Sequence, residues 1–334
     1  MEGSLMSLKV LSKRGLAFVA GIGLAATWFS SALADTWNMP VPYGDNNFHT
    51  LNHIEFAKDL NAATEGKVDI KVHPSGSLIK HPEIKNAVRS GQVPIGEFLL
   101  SRLSNENAIF GLDSVPFLAS SYGDAKKLWS VQKPAVEKLL DKEGLMVLYA
   151  VPWPPQGLYT KKDVGGVPDM SGLKFRAYNA ATERFAQLAG AVPTQVEVPD
   201  LAQAFSTGRV DAMVTSPSTG FNTKAWDFLS NYYDVQGWLP KNIVVMNKRT
   251  FQRLDDATQK AVLDAAAKAE DRGWASSAAE TETKTKGLAD NGITVSAPSD
   301  ALKDGLSKIG SEMTNEWVSV AGEEGKALID AFKK

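Results

Sequence analysis

The chain has 334 residues, 36 basic and 38 acidic, for a formal net charge of −2, and 43% of it is hydrophobic. Charges of both signs are well mixed, with no basic stripe, which excludes nucleic acid or another anionic polymer as partner. There is no cysteine, which excludes thiol catalysis, thiolate metal sites and disulfides, so stability must come from burial.

Lys9, Lys13 and Arg14 precede the uncharged run Gly15 to Ser30 and then Ser31-Ala-Leu-Ala34, the three regions of a secretory signal peptide. Its apolar core, residues 15–26, is short for a membrane span of about 20 residues. Ala32 and Ala34 satisfy the small-x-small rule, so cleavage is expected near Ala34, before Asp35, leaving 300 mature residues. That exceeds a single domain of about 100 to 200 residues, and two lobes are expected.

From Asp35 onward, strand-like and helical runs alternate, the signature of an α/β fold with helices on the sheet faces. Residues 48–60 read as a first helix, 68–72 as an alternating strand, 82–90 as a helix stopped by Gly91, and 93–100 as a buried strand. A helix over 122–140, interrupted near Pro134, leads to a buried strand at 145–149. The three prolines of Val151-Pro-Trp-Pro-Pro-Gln-Gly157 deny ladder hydrogen bonds and predict a stiff extended connector where one lobe hands over to the other. A second α/β unit follows: strand 174–178, helix 181–189, a short strand near 194–196, helix 199–206 and strand 212–215. Residues 243–246 read as another buried strand. Residues 256–289 form a very long alanine-rich helix, kinked at Gly273 and long enough to span both lobes, and 301–332 a last helix on the second lobe.

Within the second unit, Lys174-Phe-Arg-Ala-Tyr178 alternates charged or polar with apolar residues and places Arg176 among apolar neighbours. A guanidinium stays charged and offers a rigid fork of donors that fits a carboxylate, so Arg176 is a candidate clamp for an organic acid. An interdomain or surface salt bridge is the competing reading.

The block from Ser171 to Pro217 resembles the diagnostic segment of the extracytoplasmic solute-binding subunits of tripartite ATP-independent periplasmic (TRAP) transporters, the DctP family. The likeness rests on Gly172-Leu-Lys-Phe-Arg176, Gly190-Ala-Val-Pro193, Ala204-Phe-Ser-Thr-Gly208-Arg-Val-Asp211, residues 238–247 and Gly111-Leu-Asp-Ser-Val-Pro-Phe-Leu118. It implies an α/β, two-lobed periplasmic solute-binding fold. Each lobe is then a mixed sheet flanked by helices, with a long helix bridging the lobes, which close over one carboxylate-bearing ligand. Lobe one is expected over 35–153 plus 243–282 and lobe two over 154–242 plus 283–334, with the cleft between. The resemblance puts the ligand carboxylate on Arg176 with Asn179 beside it. It also implies docking on the small and large permease subunits. The secreted chain is expected to act as a monomer, outside the membrane, without cofactor or metal.

Some family members carry a second arginine about twenty residues before the first, where this chain has Gln156. One cationic fork balances one carboxylate well and two poorly, which favours a monocarboxylate over a C4-dicarboxylate. The remaining candidates for the cleft are Asn38, Asn47, His49, Glu97, Gln156, Ser216 and Asn222 among polar residues, and Phe48, Phe98, Trp153, Phe221 and Trp238 among aromatic ones. The amides and hydroxyls lean towards a hydroxylated sugar acid such as a uronate or aldonate, and the aromatics leave an aromatic acid open. A chemosensory ligand sensor would use the same binding physics.

Enzyme motifs are incomplete. Ser77-Leu-Ile-Lys80 lacks the companion elements of penicillin-interacting enzymes. His49 and His53 stand four apart, but Thr50 takes the place of the zinc-protease glutamate. His49 is expected as a polar cleft contact, His53 on a solvated helix face, and His73 and His81 in unremarkable loops.

Overall fold

The computed structural model describes residues 35–334; the signal-peptide expectation over 1–34 lies outside the described residues. The first strand, β1 (Asp35–Pro40), pairs in parallel with β2 (Val68–His73) across helix α1 (Phe48–Ala63). Helix α2 (Ile84–Ser90) ends at Gly91, whose φ of 79° is the left-handed stop its position predicts. Strand β3 (Ile95–Leu99), helix α3 (Tyr122–Asp141) and strand β4 (Leu145–Pro152) complete the forward run through the first lobe. Helix α3 passes through Pro134 without a break, contrary to the expected interruption.

The second lobe is built from β5 (Gly157–Thr160), β6 (Lys174–Ala177), α4 (Ala180–Leu188), β7 (Val192–Gln195), α5 (Leu201–Ser206), β8 (Ala212–Thr215), α6 (Pro217–Asn222) and β9 (Asn231–Tyr233). The chain then returns to the first lobe as β10 (Lys241–Asn247), short helix α7 (Lys248–Gln252) and the 35-residue α8 (Asp256–Asp290). Edge strand β11 (Thr294–Ser296) and helix α9 (Asp300–Lys333) finish it. Strand order is β3-β10-β4 in the first lobe's main sheet and β11-β9-β5-β8-β6-β7 in the second's.

Because successive side chains on a strand point to opposite faces, each sheet is covered on both. On β10, Ile243 and Val245 pack towards Phe98 and Trp129, while Val244 and Met246 pack towards Trp37, Phe56 and Tyr149. In the second lobe, Phe175 and Val214 face Phe185 and Trp238, and Met213 and Tyr159 face Phe205 and Leu229.

Helix α8 spans both lobes as its length predicts: Val262, Ala265 and Ala269 bury in the first, Leu288 in the second. It is not kinked at Gly273, which is buried and continuous with the helix. A Cβ there would stand 2.3 Å from Val151 Cγ2 and 2.9 Å from Asn52 Nδ2, so the glycine serves close packing against β4 and α1. Helix α9 also departs from expectation. Its first half, through Leu302, Leu306 and Ile309, packs on the second lobe. After a break at Gly322 (φ 62°), Ile329 and Phe332 bury against Leu112 and Leu128 of the first.

Besides α8 and α9, two extended crossovers join the lobes, β4 to β5 and β9 to β10, and they are bonded to each other. Trp153 N–H donates to the Pro240 carbonyl (2.8 Å), Gln156 N–H to Trp238 (3.0 Å) and Gly237 N–H to Gln156 (2.9 Å). Only residues 153–156 of the predicted 151–157 connector lie outside the sheets, because Val151 and Pro152 still pair with Asn242 and Lys241 at the end of β4 and Gly157 opens β5; this short connector is fastened to the returning chain.

Candidate functional site

A cavity of about 260 Å³ lies between the lobes at these crossovers. Tyr43, His81 and Leu99 line it from the first lobe, Arg176, Tyr178, Glu197, Thr215, Ser216 and Thr219 from the second, and Trp153, Gln156 and Pro240 from the crossovers themselves.

Arg176 sits on β6, in register with Thr194 of β7 and Met213 of β8. It is 2% exposed, its Nε donates to the Val196 carbonyl at 3.0 Å, and its Cζ lies 4.7 Å from the centre of the Tyr178 ring. No carboxylate among the described residues forms a salt bridge with it. Burial lowers the guanidinium to about 10, which leaves it charged at neutral pH. A buried cation whose one hydrogen bond goes to a neutral carbonyl is costly without an anion.

The interdomain salt bridge belongs instead to Arg102 and Glu197, one from each lobe. Arg102 donates to Glu197 Oε1 at 2.7 Å and to the Tyr178 carbonyl at 3.2 Å. His81 Nε2 accepts from Leu99 N–H at 3.1 Å, so its proton resides on Nδ1, 3.3 Å from Glu197 Oε2. Burial pushes the Glu197 carboxyl up, but the His81 hydrogen bond and the Arg102 and Arg176 charges outweigh it and hold it at about 2. His81 is thus neither unremarkable nor free, and with Glu197 and Tyr43 it is a site residue that strand and helix patterning did not single out. One signal could have found Glu197: it follows the parallel strand β7 at its carboxyl end, where open α/β sheets place ligands.

Of the predicted residues, Trp153, Gln156, Arg176 and Ser216 line the cavity together. Gln156 is spoken for, its Nε2 donating to Pro154 O and its Oε1 accepting from Tyr178 O–H. Ser216 Oγ caps α6 by accepting from Thr219 N–H. The other candidates do not line it. Asn179 caps α4 and donates to Ser101 Oγ of the opposite lobe at 2.8 Å, a bond between lobes. Asn38 pairs with His73 at an exposed strand end. Phe98 turns to the far face of its strand, and Asn222 sits at the end of α6. Trp238 stands behind Tyr178, donating to its hydroxyl at 3.2 Å. Asn47 caps α1, Phe48 packs on Trp153, and Phe221 packs edge to face with Trp226.

His49 and Glu97 lie behind the Trp153 wall, fully buried, with the imidazole 4.4 Å from the Trp153 ring centre. His53, expected on a solvated face, is buried too: Nδ1 bonds the Tyr149 hydroxyl (2.8 Å) and Nε2 lies 2.9 Å from Glu97 Oε1. Helix α1 turns its polar-looking face inward because Glu97 supplies a charge there for both imidazoles to face.

Burial lowers His49 to about 3, against partial restoration by Glu97. A base with a depressed folded pKa takes up its proton only on unfolding, so stability is full above pH 6.5 and falls as pH drops from 6.5 to 3. The expected slope is about 1.4 kcal/mol per pH unit from this one group. Urea unfolding of the wild type and His49→Gln between about pH 7.5 and 4.5 checks it, the variant showing the shallower dependence.

Among the described residues no His, Cys, Asp or Glu cluster is placed to hold a metal ion, and no helix is long and apolar enough to cross a membrane. Two α/β lobes closed on a small cavity, with a buried unpaired cation in its wall, define a solute-binding receptor. Residues 42–318 match the family described as bacterial extracellular solute-binding protein, family 7 (DctP). The chain belongs to that family, the extracytoplasmic solute-binding proteins of TRAP transporters, which are receptors and not enzymes. It is similar to the crystal structures of two Bordetella pertussis extracytoplasmic solute receptors binding pyroglutamic acid. DctP7 is 47% identical with a TM-score of 0.89, covering 90% of this chain and 100% of that one. DctP6 is 44% identical with a TM-score of 0.88, covering 89% and 99%. A marine metagenome TRAP solute-binding protein with co-purified pyroglutamate is 42% identical, with a TM-score of 0.88, covering 90% and 99%.

Proposed function

We propose that this receptor captures pyroglutamate, a five-membered lactam bearing one carboxylate, and delivers it as a monomer to the small and large membrane subunits of a TRAP transporter. The observation that carries the reading is the buried, unpaired guanidinium of Arg176 in the wall of a cavity of only about 260 Å³. One fork takes one carboxylate in two parallel hydrogen bonds. Tyr43, Leu99, Trp153 and Pro240 offer apolar wall to a flat ring, and Thr215, Ser216 and Thr219 offer hydroxyls to its lactam. The pyroglutamate bound by relatives at 42–47% identity supports the same choice.

This replaces the sugar acid that the amide and hydroxyl content suggested. Each buried hydroxyl without a partner costs about 1–3 kcal/mol, and Asn38, Asn179, Asn222, His49 and Glu97, counted as partners for such hydroxyls, do not line the cavity. Thermal denaturation of residues 35–334 tests the reading. L-Pyroglutamate at about 100 times Kd stabilises by about 2.7 kcal/mol, a rise of about 5 °C, whereas D-galacturonate, gluconate, succinate and benzoate leave Tm unmoved. A response to a uronate with none to pyroglutamate overturns it.

A further inference from the structure

Glu97 and Asn242 touch no ligand position, yet they end a chain of hydrogen bonds that begins at two cavity walls. Trp153 Nε1–H donates to Asn242 Oδ1 at 2.9 Å, and Tyr43 O–H reaches the same oxygen at 3.3 Å. Asn242 Nδ2 in turn donates to Glu97 Oε1 at 2.8 Å. The polarity of this chain is fixed from both ends: an indole only donates, and an ionised carboxylate only accepts. The Asn242 amide therefore has one permitted orientation, with its oxygen towards the aromatics. Trp153 and Tyr43 are held edge to face, ring centres 4.9 Å apart at 75°.

We propose that Glu97, acting through Asn242, is the positioning residue that sets the angle of the Trp153 and Tyr43 walls and so the cavity's selectivity for a compact ring. The pair lies on the first lobe's main sheet, Asn242 on β10 opposite Leu99 of β3 and Val151 of β4, so the wall angle is tied to the strand that enters from the crossover. Glu97 is faced by His49 and His53 of α1, and Tyr43 and Tyr149 bound the same buried region. Burial pushes its carboxyl up, and His53, His49 and the Asn242 amide more than offset this, leaving it below the usual value and ionised.

The test inverts the polarity and then restores it. Asn242→Asp places a second carboxylate against Glu97, so one of the two must hold a proton or be repelled. At about pH 7.5 this variant is expected to bind L-pyroglutamate about 30-fold more weakly than wild type. It regains affinity towards about pH 5, where one proton is shared and the ligand's own carboxylate stays ionised. Adding Glu97→Gln to the same chain supplies an amide donor to the carboxylate introduced at position 242, and the double variant is expected within about threefold of wild type with no such pH slope. A double variant that binds no better than N242D, or an N242D that binds like wild type at neutral pH, overturns the proposal. Should N242D fail to fold, the comparison is made on Tm: recovery of a folded, binding double variant supports the coupling, and its failure to recover overturns it. The affinity arm rests on the pyroglutamate reading. A wild type that ignores L-pyroglutamate sinks that reading alone, because the coupling of positions 97 and 242 is then read from Tm without ligand.

Discussion

Arg176→Ala is expected to weaken binding of the acid by about a thousandfold while leaving the fold intact. The loss combines the two charge-assisted bonds with a ligand carboxylate left buried and unpaired, a change of roughly 2–5 kcal/mol for a desolvated charge pair. The ligand-free protein responds in the opposite sense. Its guanidinium is buried without a carboxylate partner and has only the Val196 carbonyl on Nε, so removing it relieves a desolvation cost. Apo R176A should melt at or above the wild-type temperature, and isothermal titration with differential scanning calorimetry reads both effects. Arg176→Lys should also lose at least about 30-fold, because an ammonium cannot make a bidentate pair and serve Val196 at once. Near wild-type affinity in either variant would remove the carboxylate clamp.

The second large effect lies at the bridge across the cleft. Glu197→Gln keeps the shape of the side chain but removes the charge that Arg102 and His81 hold from the opposite lobe. Ligand escape requires those bonds to part, so the change should raise the dissociation rate about 10- to 50-fold with little effect on association. Arg102→Ala should do the same, and the double variant should be no worse than the poorer single one, since both remove one interaction. Stopped-flow tryptophan fluorescence measures the rates; additive losses would argue against a shared bridge. The carboxyl is held at about 2, below its usual value. A depressed folded pKa gives a contribution that is present above the ordinary carboxylate range and lost as pH falls towards 2. Dissociation should accordingly be insensitive to this group between about pH 5 and 8.

Arg176 was legible because a single strand carries all the information: alternation places it, and apolar neighbours bury it. The proline-rich connector and the long bridging helix were legible for the same local reasons. The Glu197–Arg102–His81 bridge was not, since Arg102 and His81 lie 95 and 116 residues from Glu197 in sequence and only the packing of one lobe against the other brings them together. Burial of His53 escaped because an i, i+4 pair of histidines reads equally well as an outer or inner face until Glu97 is known to lie opposite. Gly273 read as a kink on propensity alone, whereas its reason is the Val151 side chain arriving from another strand. Asn179 and Asn222 carried the right chemistry for a cleft, but helix geometry used Asn179 as a cap and left Asn222 at a helix end away from the cavity.

Trp153, Gln156 and Pro240 are at once walls of the cavity and parts of the crossovers that join the lobes. On the proposed function, a ring one methylene too large would be held less well by about 1–3 kcal/mol and would also press on the very residues that join the two lobes, so that a misfit inside the cavity would be felt at their junction.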